Sequence, residues 1–441
     1  MKHLLVIANL HHASPRIPGL VSALPEHGWD AVIITTPLEA NAQEVLGFPE
    51  GFLDKVSVIQ APYRGDIFWA WRGLFRMLGF DMKESLTEQI KDRAGVRDKR
   101  SFVDELMRTY QTLFAYPDTE RTWRRSGLRV ARQAVKSQSF DAILSSSPFP
   151  TSHRIASRLQ RETGLPWIAD FRDTWTDNPL YDFPVIRKKL ERRLEIRTLE
   201  SADVLVTVSD AYADQLRRTH GREVVVIPNG FTFQPVANCA NPLSERFRIT
   251  YTGTIYTEKQ DPEKFLLALA QLIAEGTIYP REVEVHFFGR RDNWLNSRIA
   301  AHGLEHVVIQ RGSVPRRDAV AEQRNAQLLL FLNWEDRENK GLSHLKLYEY
   351  LAAGRPILAT GGYEDDMSRD ILAHTGTGYF APTVADIKQA LSTAYRQFKD
   401  AGCVHYMGRV DAISAYSYAG RARLLALCLD QSIGKQVHKK C

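Results

Sequence analysis

Lys346 and Glu349 stand three positions apart within the run from Asn333 to Thr360, NWEDRENKGLSHLKLYEYLAAGRPILAT. On a helix that spacing puts an ammonium and a carboxylate on one face. Beside a helix N-terminus the cation can meet a phosphate, while the carboxylate accepts hydrogen bonds from a ribose diol. Taken alone, a K-x-x-E pair is ordinarily a surface ion pair of little energetic weight. Its setting gives it more meaning. The apolar run Leu328 to Leu332 reads as a fully buried parallel strand, and a polar loop follows it. Ser343 is a suitable N-cap for a short helix that Gly354-Arg355-Pro356 ends, and Ile357 to Thr360 is the next strand. Open α/β sheets hold phosphates where such a loop leaves the carboxyl end of a strand for a helix N-terminus.

Three other clusters carry polar chemistry at expected strand ends. His11 and His12, in the loop after the first strand, can bind substrate or handle a proton, or simply be exposed loop residues. Asp170-Phe171-Arg172-Asp173-Thr174-Trp175-Thr176-Asp177 crowds three carboxylates and an arginine. They must pair with one another or bind something, because unpaired charges are costly to crowd and bury. A local network of Arg172 with Asp173 or Asp170 is the purely structural reading. Upstream, Ser145-Ser146-Ser147-Pro148-Phe149-Pro150 ends another strand and faces the same edge. In Phe288-Gly289-Arg290-Arg291 the glycine permits close backbone approach, and the arginines can hold phosphate or base or lie solvated at the surface.

The elements that must position these residues alternate between strand and helix patterns. Strands are expected at 3–8, 31–36, 56–60, 141–146, 166–170, 204–208 and 224–228, with helices at 17–26, 127–137, 152–163 and 185–200 between them. A stretch of turn formers and prolines, Phe231 to Arg246, has no periodicity and marks a boundary. Beyond it, strands are expected at 247–253, 283–288, 307–310, 327–332 and 357–360, with helices such as 262–274 and 383–396. The run Ser414 to Tyr418 leads into a terminal helix through Leu427, and the tail Lys435 to Cys441 reads as polar and mobile.

Composition excludes several classes. With 441 residues, 44% of them hydrophobic and 25% charged, the chain is too long for one core and reads as two globular domains. Four scattered cysteines without C-x-x-C spacing argue against a disulfide frame or a zinc site and for a reducing compartment. No apolar run reaches the roughly 18 residues of a membrane span, and the first residues read as a strand rather than a signal peptide. Neither domain's first strand leads into G-x-G-x-x-G, which argues against a nicotinamide dehydrogenase. Pro62 to Phe140 holds 16 Lys and Arg against 10 Asp and Glu, an excess equal to the chain's net charge of +6. Within it, Ile67 to Phe80 mixes aromatic and aliphatic side chains with arginines. That stretch suits an anionic bilayer surface, or is a helix docked on the core with solvated arginines. No nucleic-acid-binding motif accompanies the charge.

The run S-x-x-K-L-Y-E-Y-L-A-A-G-R-P-I-L-A-T resembles the donor-binding motif of GT-B glycosyltransferases, in particular the retaining family 4. Short V-S and P-N-G signatures at Val208-Ser209 and Pro228-Asn229-Gly230 fit in order and spacing. The run D-F-R-D-x-W-T-D-N-P resembles a bacterial sub-group of that family. The resemblance implies an α/β fold of two Rossmann-like, doubly wound parallel-sheet domains facing a cleft, with a C-terminal helix crossing back. Residues 1–235 would form the acceptor domain, with a basic and aromatic insertion at about 62–125. Residues 236–410 would form the donor domain, and 411–441 the returning helix and tail.

The resemblance also implies roles. Glu349 takes the glutamate position that holds the nucleotide ribose, and Ser343, Lys346 and Leu347 belong to the same motif. Gly253-Thr254 through Lys259 matches the G-R-x-x-x-x-K loop that grips donor phosphates, with Thr254 in place of the arginine. Gly341 replaces the family's earlier glutamate. Lys259, Arg172, Asp173 and Glu349 are the expected catalytic residues; Gly289 and Arg290 complete the donor set. His11, His12, Ser147, Asp170 and Trp175 are expected at the acceptor. A nucleotide-diphosphate-sugar is then a co-substrate and no cofactor is expected. No D-x-D pair marks a metal site. A glycan or lipid-linked acceptor, an anionic membrane surface and a place on the inner face of the cytoplasmic membrane complete the expectation, with retention at the anomeric carbon. A nucleotide-sugar epimerase or hydrolase of the same fold, or a non-catalytic glycan-binding relative, is the alternative.

Overall fold

The computed structural model describes residues 1–63, 65, 112, 114–178, 181, 183–232, 243–256, 259–335 and 345–440. The chain divides into two units. The first comprises Met1–Ala42, Glu50–Ile227 and Arg423–Cys441, and the second Gln43–Pro49 and Pro228–Ala422. The expected bilayer-facing stretch Ile67 to Phe80 and the N-cap Ser343 lie outside the described residues, as does Gly341.

The first unit is a seven-stranded sheet of β1 (Lys2–Ile7), β2 (Trp29–Thr35), β3 (Ser57–Gln60), β4 (Ala142–Ser146), β5 (Trp167–Phe171), β6 (Val204–Thr207) and β7 (Val224–Val226). The order is β3-β2-β1-β4-β5-β6-β7, and every pairing is parallel. Leu4, Leu5, Val6 and Ile7 are wholly buried, as a strand covered on both faces requires. The connecting helices are α1 (Arg16–Ala23), α2 (Arg124–Ser137), α3 (Pro150–Thr163), α4 (Val185–Leu199) and α5 (Asp210–His220). Proline at the start of α3 and left-handed Gly164 at its end set the helix limits.

The second unit is a six-stranded parallel sheet of β8 (Phe247–Thr252), β9 (Val283–Phe288), β10 (Val308–Gly312), β11 (Leu328–Leu332), β12 (Ile357–Thr360) and β13 (Gly378–Ala381), in the order β10-β9-β8-β11-β12-β13. Its longer helices are α6 (Glu263–Ala274), α7 (Asn293–Ala301), α8 (Arg316–Asn325), α9 (Leu345–Ala353), α10 (Met367–Thr375) and α11 (Val384–Ala401). A capping box between Thr383 and Asp386 opens α11. Helix α12 (Tyr418–Lys440) begins in the second unit, and from Arg423 onward belongs to the first. There Asp430 accepts hydrogen bonds from Lys2 (2.7 Å) and the Trp29 indole (3.0 Å). The tail expected to be mobile from Lys435 continues this helix to Lys440.

Both sheets reverse their strand order once, between β1 and β4 and between β8 and β11. In open parallel sheets ligands sit outside the carboxyl ends of strands at such a reversal. His11, His12 and Ser147 follow β1 and β4; Gly253, Lys259 and the α9 motif follow β8 and β11.

Candidate active site

In the second unit the strongest feature is the seat of Lys346. Its ammonium donates to the Tyr251 hydroxyl and lies 3.9 Å from the centroid of that ring. Tyr251 is fully buried on β8, and its own hydroxyl donates to the Thr254 carbonyl at 3.0 Å. Gly253 makes room for the lysine: at φ +110° a Cβ there would stand 2.9 Å from Lys346 Cε. Burial pushes the Lys346 ammonium down from 10.5 to about 7, and nearby Glu349 only partly offsets this. The expected phosphate cation is therefore poised between its two protonation states near neutral pH.

Glu349 does not pair with Lys346. Its Oε1 accepts Arg316 Nη2 at 2.6 Å, and Oε2 has no partner among the described residues. Arg316 opens α8, so its partnership with α9 had no signal in local spacing. Tyr350 and Gln323 fix the tip of β8. The Thr252 amide donates to the Tyr350 hydroxyl (2.9 Å), and the Gln323 amide donates to Thr252 Oγ1 (2.8 Å). Leu347, expected in the donor set, is wholly buried in the core with Tyr348 and Tyr350. Its side chain packs the helix down, which leaves only its backbone for a ligand.

The loops after β8 and β11 are stitched together. The Lys259 carbonyl accepts the Glu335 amide (2.9 Å), and Gln260 Nε2 donates to the Leu332 carbonyl (2.7 Å). Asn333, directly after β11, is buried, and its Oδ1 has no partner among the described residues. Thr254 and Arg290 are exposed at the ends of β8 and β9. Gly289 does permit a close backbone approach, but of the protein's own chain: a Cβ there would lie 2.3 Å from the Gly253 carbonyl oxygen.

In the first unit the structure brings together His12, Ser147 and Arg172. The Arg172 guanidinium donates to the His12 carbonyl, and its amide donates to Ser147 Oγ at 3.0 Å. The His12 ring stands edge-on to Phe149, with Nε2 3.9 Å from buried Glu120 Oε1. Glu120, which also accepts the Tyr63 hydroxyl, went unnoticed in the sequence because it lies at the end of the long insertion. His11 turns elsewhere, its Nε2 2.9 Å from the Pro37 carbonyl. Asp173 is half-buried; desolvation pushes its carboxyl up, and the neighbouring Arg172 opposes this.

Two residues expected at the acceptor are internal. Asp170 is buried and pairs with Arg16 rather than Arg172: Arg16 Nη2 donates to Oδ1 at 2.8 Å and Ser146 Oγ to Oδ2 at 2.7 Å. Trp175 is buried, with its indole donating to Glu191 at 3.2 Å. A buried charge must be matched. Ser146→Ala, which removes one hydrogen bond to that carboxylate, is expected to cost the first unit about 2 kcal/mol in chemical denaturation. Among the described residues no group of three His, Cys, Asp or Glu side chains is placed to hold a metal ion, and no helix is long and apolar enough to cross a membrane.

The sequence matches the family described as Glycosyl transferase 4-like domain over residues 13–230, and Glycosyl transferases group 1 over residues 246–397. No curated protein matches it. Among solved structures it is similar to a sucrose-phosphate synthase (tll1590) from Thermosynechococcus elongatus, at 13% identity and a TM-score of 0.53, covering 100% of this chain and 98% of that one. Anabaena Alr3699/HepE, solved with UDP, aligns at 13% identity and 0.52 over 100% of both chains. The lipopolysaccharide outer core galactosyltransferase WaaB aligns at 13% and 0.51, over 99% and 100%. At such identities these structures speak for the fold.

Proposed function

Because the chain is a GT-B glycosyltransferase that resembles glycosyltransferase family 4, we propose that it moves a sugar from a nucleoside-diphosphate sugar to a glycan or lipid-linked acceptor, with retention and without a metal ion. The donor occupies the carboxyl edge of the second sheet, and the acceptor that of the first. One observation carries the reading: at the β8/β11 reversal an ammonium in a tailored slot and a carboxylate with an open oxygen lie on one short helix. Anabaena Alr3699/HepE, a structural neighbour, has also been solved with UDP-glucose, which supports this class of donor.

The leaving nucleoside diphosphate gathers negative charge on its β-phosphate. Lys346, Lys259 and the backbone at the start of α9 stabilise that charge without reorganisation, each such donor being worth on the order of 3 kcal/mol. Glu349 Oε2 accepts from the ribose diol. Thr254, Arg290, Gly253 and Gly289 shape the edge, and Ser343 belongs in sequence to the same motif as Lys346 and Glu349. Across the reaction, Arg172, Asp173 and His12 orient the acceptor, with Ser147 holding the Arg172 backbone. The proposed setting is bacterial cell-surface polysaccharide or lipopolysaccharide synthesis at the cytoplasmic face of the membrane.

A thermal-shift series with nucleoside diphosphates tests the donor site. A ligand at a hundred times its Kd is expected to add about 2.7 kcal/mol to native stability, and so to raise the melting midpoint. No shift with any common nucleoside diphosphate or its sugar would refute donor binding. Conversion of the sugar on incubation with donor alone would point to an epimerase instead.

A further inference from the structure

Helix α4 (Val185–Leu199) is built inside out. It buries Arg187, Glu191 and Glu195, each 6% exposed or less, and exposes Val185 (69%), Ile186 (77%), Leu190 (49%) and Ile196 (45%). The inward charges are matched. Arg187 donates to Glu191 at 2.6 Å and to the Thr112 carbonyl at 2.8 Å, while Glu195 accepts the Thr176 hydroxyl and lies 3.3 Å from His220 Nε2. The outward face keeps only bases among its aliphatic side chains: Lys188, Lys189, Arg193 and Arg197 are all exposed. Ile186, Leu190, Arg193 and Arg197 follow one another at helical spacing, so apolar and cationic groups share one stripe. Glu200, just past the helix, is an exposed acid, and Asp177 pairs with Arg192 on the helix flank.

The neighbouring helices extend this charge. Helix α3 packs beside α4, and α2 beside α3. Together the three hold fourteen lysines and arginines against three glutamates. Two of those glutamates are the buried pair on α4, and the third, Glu162, is taken by Arg132 and Arg158, each at 2.6 Å. The layer thus presents a positive face in a chain whose net charge is only +6.

We propose that this face of the first unit is a docking surface for an anionic bilayer, with Val185, Ile186 and Leu190 seated at the headgroup boundary and Lys189 and Arg193 on lipid phosphates. Aliphatic side chains exposed between bases gain from such a boundary in two ways, through apolar burial and through attraction to anionic lipid. A polynucleotide would meet the bases but would leave the aliphatic side chains in water, since it binds through phosphates and ring stacking. The inference deepens the reading of a lipid-linked acceptor and rests on it, yet it places the contact on residues distinct from those assigned to donor or acceptor.

Sedimentation of the full chain with phosphatidylcholine vesicles, with and without phosphatidylglycerol, tests it. The parent is expected to bind the anionic vesicles and release them as salt rises. I186S/L190S is expected to lower the partition coefficient about tenfold, from the loss of aliphatic surface. K189E/R193E should abolish the preference for anionic lipid, and every variant should keep the parent's nucleoside-diphosphate thermal shift. Equal partitioning of parent and variants, equal binding to neutral and anionic vesicles, or stronger capture by a single-stranded oligonucleotide would each overturn the proposal. Vesicle binding lost in the variants while no protein responds to any nucleotide would leave this surface standing and remove the transfer reading. An intact nucleotide response without vesicle binding would do the reverse.

Discussion

Lys346→Ala is expected to lower kcat/KM for the nucleotide-sugar donor by about 10²–10³-fold, the range for removing one preorganised donor from a site of developing negative charge. The size of the effect follows from where the ammonium sits, on a buried ring and hydroxyl rather than in solvent. The same seat sets a pH dependence. With the lysine lowered to about 7, the ammonium dominates below that pH and the neutral amine above it. Since kcat/KM reports the free enzyme, it should fall as pH rises through about 7. Diphosphate binding favours the ammonium, so donor binding above that pH should take up a proton, which calorimetry in buffers of different ionisation enthalpy reads directly. Lys346→Arg stays charged throughout and should flatten the profile, even if the longer fork costs some rate. An alanine variant as active as the parent would remove Lys346 from the site. A flat parent profile from about pH 6 to about pH 9 would remove the titration.

This seat could not be read from spacing, and the reason is general. The K-x-x-E pattern revealed a helix face and a setting at the end of a buried strand, both of which the fold contains. It could not reveal that Lys346 turns to a tyrosine 95 positions upstream, or that Glu349 turns to Arg316 on another helix. Apolar runs such as Leu328–Leu332 announce central parallel strands because both faces are covered; twelve strands were legible in all, among them edge strands β3 and β10, which are only partly buried. Edge strand β13, Gly-Tyr-Phe-Ala and mostly half-buried, lacks that continuous burial and was not foreseen. Asp170 shows the opposite failure. A carboxylate at a strand end looked available for a ligand, whereas Arg16, on a helix that local pattern began one residue later, neutralises it inside the unit. Leu347 likewise belonged to the right motif but to its buried side. Motif position identifies the element that serves a site; only packing decides which side chains of that element face it.

Glu349→Ala is expected to weaken donor binding by about 10²-fold, because hydrogen bonds to a charged acceptor are worth about 1.5–3 kcal/mol each and a ribose diol offers two. Arg316 makes the experiment more discriminating. It holds Oε1 at 2.6 Å, which fixes the carboxylate and leaves Oε2 as the acceptor. Arg316→Ala should therefore cost less than Glu349→Ala, since the carboxylate survives with its orientation loosened. The sharper readout is the sugar of the nucleotide. The parent should prefer a ribonucleoside diphosphate over its 2′-deoxy counterpart by at least about tenfold, the worth of one such hydrogen bond, and Glu349→Ala should bind both alike. Loss of affinity with the preference retained would mean that Glu349 supports the fold of α9 rather than touching the pentose. Because the carboxylate is only partly exposed and already paired, Glu349→Gln is the matching control: it keeps the volume and a hydrogen-bonding oxygen, and should lose affinity without unfolding the helix.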